Sequence, residues 1–334
     1  MKVLSLCDGI SCGMVALERA GISVEEYNAY EIDKYAMQVS QKNYPQIVQH
    51  GDVTKANFKK HQGTDIVIAG TPCQGFSVAG KQLNFDDPRS RLYYEFERAL
   101  EEVNPKYFLL ENVKMKKEYE DVITRRLGVE PIEINSNRVS AQNRKRLYWT
   151  NIPNVVQPRD KGIMLKDIVH ETRGEEFDLQ HYLTPLHRTL HIVNHEAQRG
   201  KIGYFGCDSQ ANRVYSIHGK AVTLCGDAGG GAAKCGQYLF GCLTPGRDNA
   251  RKCGNRFNDG RKFYTLTAQD RHGFIIDGYI RRITPVECER LQTLPDGYTD
   301  GIPEAQRYKC LGNGWTVDVI AHILRHIRCE GGTP

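Results

Sequence analysis

The sequence lacks the features that mark membrane, secreted and zinc-binding proteins. No apolar run approaches the roughly 20 residues that span a bilayer, and the amino terminus carries no small-residue cleavage site of a signal peptide. None of the 11 cysteines forms a Cys-x-x-Cys pair, and the loose series from Cys207 to Cys253 matches no common zinc spacing. We therefore expect a cytoplasmic protein with free thiols, no metal and no membrane partner.

Composition and charge distribution describe an ordinary globular chain with one basic segment. The 334 residues are 40% hydrophobic and 25% charged, enough for one large domain or two ordinary ones. The net charge is only +5, but residues 199–271 contain 12 Lys or Arg and 5 Asp or Glu. A localised basic segment indicates a polyanionic partner, nucleic acid foremost, although a solvated basic face without a partner remains the alternative.

The first 150 residues alternate between strand-like and helix-like patterns. Strands are predicted at 2–6, 27–31, around Val48 and ending at Asp52, at 66–69, and at 107–110 and ending at Glu111. Helices are predicted at 14–20, 34–43 and 92–103, and later strands of open direction at 132–134 and 147–152. Repeated strand–helix units specify an α/β fold with a parallel sheet and helices on both faces.

The pattern changes after Pro153 and becomes regular again near residue 284. Thirteen glycines fall between positions 200 and 260, and the pieces 222–224 and 264–266 are predicted as short strands between loops. This composition predicts a second, smaller region of irregular β structure. Thr284-Pro285 then marks a helix start, and a last helix is predicted at 317–327, after Gly312-Asn313-Gly314.

Three predicted strand ends carry groups that suit an adenosine-containing cofactor. The turn from Cys7 to Gly13 follows the first strand, and its glycines would let a ligand approach the helix amino terminus. Glu31 stands where an acid binds ribose hydroxyls in such folds, and Asp52 could accept a hydrogen bond from an adenine amino group. Either acid alone is as typical of an ordinary turn as of a cofactor site. The prediction of a cofactor site therefore depends on their placement at consecutive strand ends.

The next two strand ends carry a thiol and a carboxyl group. Cys73 follows Pro72, which stiffens the turn, and Glu111 ends the neighbouring predicted strand. A nucleophile beside an acid suits attack on an electron-poor ring, and Arg144 and Arg146, on one face, would lower the thiol pKa. The alternatives are a buried cysteine, a capping glutamate and a solvated edge strand.

Taken in order, these motifs resemble those of the cytosine-C5 DNA methyltransferases, which use S-adenosylmethionine and release S-adenosylhomocysteine. The resemblance covers about residues 1–152 and 280–328. Its parts are the glycine turn, the Pro72-Cys73-Gln74 nucleophile motif, Glu111-Asn112-Val113, the basic signature Gln142-x-Arg144-x-Arg146, residues 281–291 and Gly312-Asn313-Gly314.

The resemblance implies a Rossmann-like methyltransferase sheet with helices on both faces, formed by residues 1–153 and 283–334. Residues 154–282 would form a smaller, irregular β-rich target-recognition domain. The implied reaction transfers a methyl group to C5 of a flipped-out cytosine in a specific double-stranded DNA sequence, through a bond between Cys73 and C6. Residues 75–91 are expected to form a mobile loop that closes over DNA.

The site residues expected from the motifs and the resemblance fall into three groups. The catalytic group is Cys73, Glu111, Arg144 and Arg146. The cofactor group is Cys7, Asp8, Gly9, Ile10, Cys12, Glu31, Ile32, Asp52, Val53, Pro72, Leu92, Asn313 and Gly314. The DNA-binding group is Ser77, Lys81, Arg89, Gln142, Thr223, Thr265 and Arg282.

The sequence departs from the family at the cofactor turn, where Cys7 replaces an aromatic residue and Ser11-Cys12 replaces a glycine pair. A weaker cofactor affinity, or a pocket filled from elsewhere in the chain, is the expected consequence. The alternative functions are tRNA cytosine-C5 methylation and a catalytically silent DNA-binding relative, while the imperfect glycine motif disfavours a nicotinamide dehydrogenase. We expect a monomer of bacterial or phage origin, with a cognate restriction endonuclease as a candidate partner.

Overall fold

A computed structural model describes the two flanks of the chain and short strands between them. The described residues are 1–71, 92–169, 183–184, 190–192, 201–205, 213–215, 242–243, 273–276 and 279–327. The first flank contains β1 (Lys2–Leu6), α1 (Cys12–Arg19), β2 (Glu26–Tyr30), α2 (Lys34–Asn43), β3 (Val48–Gln49), β4 (Ile66–Gly70), α3 (Leu92–Val103), β5 (Tyr107–Val113), α4 (Lys117–Leu127), β6 (Ile132–Asn135) and β7 (Lys145–Thr150). The second contains α5 (Pro285–Leu291), α6 (Glu304–Asn313) and α7 (Val317–Leu324).

Seven strands form one sheet in the order β3-β2-β1-β4-β5-β7-β6. Strands β1 to β5 run parallel, and β7 runs antiparallel to both β5 and β6. Strand β1 lies between β2 and β4, so the strand order reverses beside it. Open α/β sheets place their ligand crevice at the carboxyl ends of the strands at such a reversal.

Both faces of the sheet are covered by helices, as the sequence predicts, because side chains alternate along each strand. On β1, Val3 packs into a core with residues of α1, α2, α5 and α7, whereas Leu4 packs into a second core. The second core contains Phe96 of α3 and Ile123 of α4. Strand β4 alternates in the same way, with Ile68 on the first face and Val67 on the second.

Several element boundaries differ from the sequence prediction. Strand β3 ends at Gln49, and Asp52 instead caps a short 3-10 helix, where its carboxylate accepts the Thr54 amide hydrogen. Strand β5 continues through Glu111 to Val113, because its register with antiparallel β7 pairs Val113 with Arg146. The acid therefore lies within a strand and not at its end.

The carboxyl-terminal flank also corrects two expectations. Gly312 and Asn313 are the last residues of α6, a helix that the sequence analysis missed, and Gly314 caps it. The last helix ends at Leu324 rather than at residue 327. The start of α5 agrees with the prediction: Thr284 forms a capping box with Glu287, and Pro285 occupies the first helical position.

Between the flanks, the described strands form two small antiparallel sheets. Strands β9 (Leu190–Ile192), β10 (Lys201–Phe205) and β11 (Arg213–Tyr215) form one. The other joins β8 (Leu183–Thr184), β12 (Cys242–Leu243), β13 (Gly273–Ile276) and β14 (Tyr279–Arg282). The predicted strands at 222–224 and 264–266 lie outside the described residues. Within the described part of the chain, no helix is long and apolar enough to cross a membrane.

Candidate active site

A cleft of about 670 Å³ opens at the carboxyl edge of the seven-stranded sheet. Residues that follow or end β1 to β5 line it, together with the end of α6 and the segment after it. Twelve of the thirteen expected cofactor residues line this cleft, as do three of the four expected catalytic residues: Cys7, Asp8, Gly9, Ile10, Cys12, Glu31, Ile32, Asp52, Val53, Leu92, Asn313 and Gly314, with Glu111, Arg144 and Arg146.

The turn after β1 is held open by the carboxylate of Glu31. One Glu31 oxygen accepts the Gly9 amide hydrogen at 2.8 Å, and the other accepts the amides of Ile32 and Asp33, each at 2.8 Å. Gly9 has φ +62°, a left-handed conformation that glycine adopts without strain. The Glu31 carboxylate therefore connects the segments that follow β1 and β2, and it fixes the backbone of the cleft between them.

Asp8 lines the cleft, but its carboxylate is used inside the protein. It accepts hydrogen bonds from Ser5 at 2.6 Å, from Tyr27 at 2.7 Å and from Ser11. Burial raises the pKa of Asp8, while these three hydroxyl donors act in the opposite direction. Asp8 thus stabilises the turn through its carboxylate.

The side of the cleft near β2 and β3 combines an apolar surface with an acid. Ile32 is 72% exposed, which is unusual for a large aliphatic side chain next to a cleft. Asp52 uses one carboxylate oxygen to accept hydrogen bonds from the Thr54 amide and hydroxyl, and these bonds lower its pKa. An apolar surface beside an ionised acceptor suits a flat, amino-bearing base such as adenine.

Two thiols of the cleft are poorly suited to act as nucleophiles. Burial raises the pKa of Cys7 to about 12, with a further contribution from the Glu31 and Asp8 carboxylates. Burial likewise raises the pKa of Cys12 to about 12. Because the thiolate is the reactive form, both cysteines are neutral and unreactive near pH 7.

Glu111 and Arg146 form an ion pair at the opposite side of the cleft. The Arg146 Nε lies 2.9 Å from a Glu111 carboxylate oxygen, and both side chains are nearly buried. Glu111 is the cross-strand partner of Gly70, the last residue of β4. The chain continues from Gly70 through Thr71 toward Pro72 and Cys73, which lie outside the described residues.

Arg144 lines the same cleft, but the structure shows it performing a different task from Arg146. It is 5% exposed, and its guanidinium donates to the carbonyl oxygens of Gly312 at 3.3 Å and Gly314 at 3.0 Å. Its own amide donates to the Asn135 side chain. The two arginines therefore make different contacts: Arg146 forms an ion pair with Glu111, and Arg144 donates to backbone carbonyls at the end of α6 and just after it.

The expected DNA-contacting residues are only partly described. Gln142 is fully buried, and its side-chain amide has no hydrogen-bond partner among the described residues, so in this structure it does not form part of a DNA-facing surface. The DNA contact expected of Gln142 stays a prediction. The backbone of Arg282 ends β14. The others lie outside the described residues: Ser77, Lys81, Arg89, Thr223 and Thr265.

The structure adds residues that sequence reasoning missed. Trp315 lines the cleft directly after Gly314, and Lys309 lines it while pairing with Asp33 at 2.5 Å. Gln292 lies behind the cleft, where its amide donates to the carbonyls of Leu311 and Gly314. The sequence signal that could have identified Trp315 is its position directly after Gly312-Asn313-Gly314, because a large ring can fill the space that glycines leave.

The residues of the cleft fit an adenosyl cofactor on their chemistry. The Gly9 turn allows close approach of a ligand to the backbone, Glu31 and Asp52 supply acceptors, and Ile32 supplies an apolar face. Within the described residues, no group of three or more His, Cys, Asp or Glu side chains could hold a metal ion.

Comparisons with known proteins agree with this arrangement. A family profile described as C-5 cytosine-specific DNA methylase matches residues 1–126 and 134–329. The orphan methyltransferase M.SPRI of Bacillus phage SPR is 27% identical over 98% of this chain and 97% of its own length. The type II methyltransferase M.HhaI of Haemophilus parahaemolyticus is 27% identical over 98% of this chain and 94% of its own length.

Solved structures show the same architecture at lower identity. The methyltransferase EhMeth of Entamoeba histolytica has a TM-score of 0.63 and 17% identity, covering 98% of this chain and 97% of that one. The Dnmt2 methyltransferase of S. pombe has a TM-score of 0.57 and 17% identity, covering 96% of each chain. At these identities the likeness shows a shared fold.

Proposed function

The chain belongs to the C-5 cytosine-specific DNA methylase family and is an enzyme that methylates cytosine in DNA, and from this premise we propose its substrates and mechanism. The methyl donor is S-adenosylmethionine, bound in the cleft at the carboxyl edge of the sheet. The acceptor is C5 of a cytosine flipped out of a specific double-stranded site. The nucleophile is Cys73, which bonds transiently to C6.

One observation carries the proposal: the acid and the path to the thiol meet at one end of the cleft. Glu111 pairs with Gly70 across the sheet, and Cys73 follows Thr71 by two residues. Three residues of extended chain separate Cys73 from Gly70 and span at most about 11 Å, which supports assigning the Cys73 thiol to the neighbourhood of this carboxyl group. The adenosine-type groups at Glu31 and Asp52 lie at the other strand ends of the same cleft.

The chain's own residues supply the steps that activate the ring. The Cys73 thiolate adds to C6, the ring electrons move through C4 to N3, and Glu111 gives N3 a proton, which leaves an electron-rich C5. When bound, S-adenosylmethionine supplies an electrophilic methyl group on its sulfonium. Loss of the C5 proton to water then re-forms the C5–C6 double bond and expels the Cys73 thiolate, and the N3 proton returns to Glu111. Arg146 orients Glu111 through their ion pair.

The recognition of DNA is assigned to the segment between the flanks. Residues 199–271 carry a net charge of +7, which favours contact with phosphates. We assign residues 154–282 to target recognition and residues 1–153 with 283–334 to catalysis, and the chain is proposed to act as a monomer. Pairing with a restriction endonuclease is supported by the type II name of M.HhaI, whereas the orphan name of M.SPRI describes the opposite arrangement.

The test traps the covalent intermediate. Duplexes containing 5-fluorocytosine at the recognised site should form a denaturant-resistant adduct with the wild-type enzyme, since fluorine at C5 cannot leave as a proton does. Bisulfite sequencing of DNA from expressing cells first identifies that site. Cys73→Ser should form no adduct, while Cys329→Ser, which changes a thiol near the carboxyl terminus, should form it normally. Adduct formation by Cys73→Ser, or labelled methyl incorporated into tRNA but not DNA, would overturn the proposal.

A further inference from the structure

Trp315 fills a notch between two glycines at the edge of the cleft. A Cβ atom added to Gly70 would lie 2.6 Å from the indole Nε1, and one added to Gly13 would lie 3.6 Å from Cζ3. The indole therefore packs against the end of β4 and the start of α1, while also lining the cleft. A larger residue at Gly70 would displace the ring or be displaced by it, whereas one at Gly13 would first meet Ile68 and Tyr27.

The backbone around Trp315 is held from both sides. The preceding carbonyl, that of Gly314, accepts hydrogen bonds from Arg144 at 3.0 Å and from Gln292 at 3.1 Å. Beyond Trp315, the Thr316 hydroxyl donates to the Gln292 side chain, and the Val317 amide donates to the Gln292 carbonyl. These contacts position the ring before any ligand arrives, so binding costs little side-chain ordering.

The ring lies at the reacting end of the cleft. Gly70, against which it packs, is the cross-strand partner of Glu111 and precedes Cys73 by three residues. The methyl group that reaches the cytosine is carried by the sulfonium, so the sulfonium must also lie at this end. The adenosine part is assigned to the Glu31 and Asp52 side.

At this end of the cleft, the Trp315 indole is the group suited to contact a cation. Arg144 and Arg146 are positive, and the carboxylate of Glu111 is paired with Arg146. Among the described lining residues, the aromatic ones are Tyr30 and Trp315, and the Tyr30 hydroxyl bonds to His61 away from this end. An indole face attracts a cation within about 6 Å of its centre.

We propose that the indole of Trp315 contacts the sulfonium of S-adenosylmethionine and makes the enzyme bind the charged methyl donor in preference to the neutral product. The inference rests on the proposed function, because it requires S-adenosylmethionine in this cleft.

The experiment measures the affinities of the purified full chain for S-adenosylmethionine and S-adenosylhomocysteine by calorimetry. In Trp315→Leu, the preference for the charged ligand should fall by about 3- to 30-fold, the range of a cation–π contact. Trp315→Phe should retain part of the preference. The matched control is Ile32→Ala, which removes an apolar contact assigned to the shared adenosine part and should weaken both ligands by the same factor.

Fluorescence gives a second readout, because the chain has two tryptophans. Trp149 is fully buried and donates to Thr124, so it reports folding, while Trp315 reports the cleft. Cofactor should change the emission of the wild type and leave that of Trp315→Leu unchanged. If Trp315→Leu retains native Trp149 emission and weakens both ligands equally, the inference is wrong. If the wild type binds neither ligand, the proposed function itself fails.

Discussion

Replacing Arg144 by methionine should destabilise the fold far more than the same change at an exposed arginine. Arg144 is 5% exposed and donates to the carbonyl oxygens of Gly312 and Gly314. Methionine fills much of the same volume but donates no hydrogen bond. The variant therefore isolates the contribution of the guanidinium donors to the position of the segment after α6.

The magnitude follows from the acceptors that lose a donor. Hydrogen bonds from a charged donor contribute about 1.5–3 kcal/mol each. The Gly312 carbonyl loses the Arg144 donor, and the Gly314 carbonyl keeps the donor from Gln292 among the described residues. Because the distances of 3.0–3.3 Å are long, the lower end applies, and we expect the free energy of unfolding to fall by about 3 kcal/mol. For a chain of 334 residues, that lowers the melting temperature by about 4 °C.

Circular dichroism melts and urea titrations of both variants measure the difference. Arg159→Met is the matched control, since Arg159 is exposed, and its melting temperature should stay within about 1 °C of the wild type. Arg144→Met should also bind S-adenosylmethionine more weakly, because Gly314 and Trp315 line the cleft. An Arg144→Met protein that melts with the wild type would refute the assignment of Arg144 to this segment.

Three further outcomes are expected. Glu31→Gln should weaken S-adenosylmethionine binding about tenfold in calorimetry, because the Gly9 amide loses a charged acceptor. The control Glu25→Gln changes an exposed side chain and should leave the affinity unchanged, and equal affinities of the two variants would contradict the role of Glu31. The free energy of unfolding should fall as pH rises from 9 toward 12, because the Cys12 thiol stays protonated in the folded protein and ionises in the unfolded chain. Between thermal melts at pH 8 and pH 10.5, the melting temperature of Cys12→Ala should fall less than that of the wild type. DNA affinity should drop at least about 10³-fold between 50 and 200 mM salt, and a flat response would exclude phosphate contacts by residues 199–271.

The sequence predicted the sheet because parallel strands buried on both faces are nearly continuous apolar runs. It missed α4, a helix in which Ile123 is the one fully buried side chain, so the apolar periodicity that identifies a helix is weak. It also missed α6, whose terminal Gly312 and Asn313 are typical of loops. Local composition alone does not show that tertiary contacts extend a helix through such residues.

The sequence predicted which described residues gather at the cleft, but not which contacts each of them makes. Spacing places Arg144 and Arg146 near each other, yet it cannot show that one donates to backbone carbonyls and the other to Glu111. Gln142 fits a basic signature, and its burial depends on packing that no local pattern encodes. Trp315 was missed because its ring packs against Gly70, which is distant in sequence.

The segment between the flanks begins and ends at points that the structure fastens together. The Arg290 guanidinium donates to the carbonyl of Ile168 at 3.1 Å, and the Ser140 hydroxyl donates to the carbonyl of Leu291 at 2.6 Å. Ile168 and Ile283 belong to the same hydrophobic core. The intervening chain is thus an insertion with adjacent ends. If this insertion selects the target as proposed, its replacement by the corresponding stretch of a relative should redirect which sequence is modified while leaving the chemistry intact.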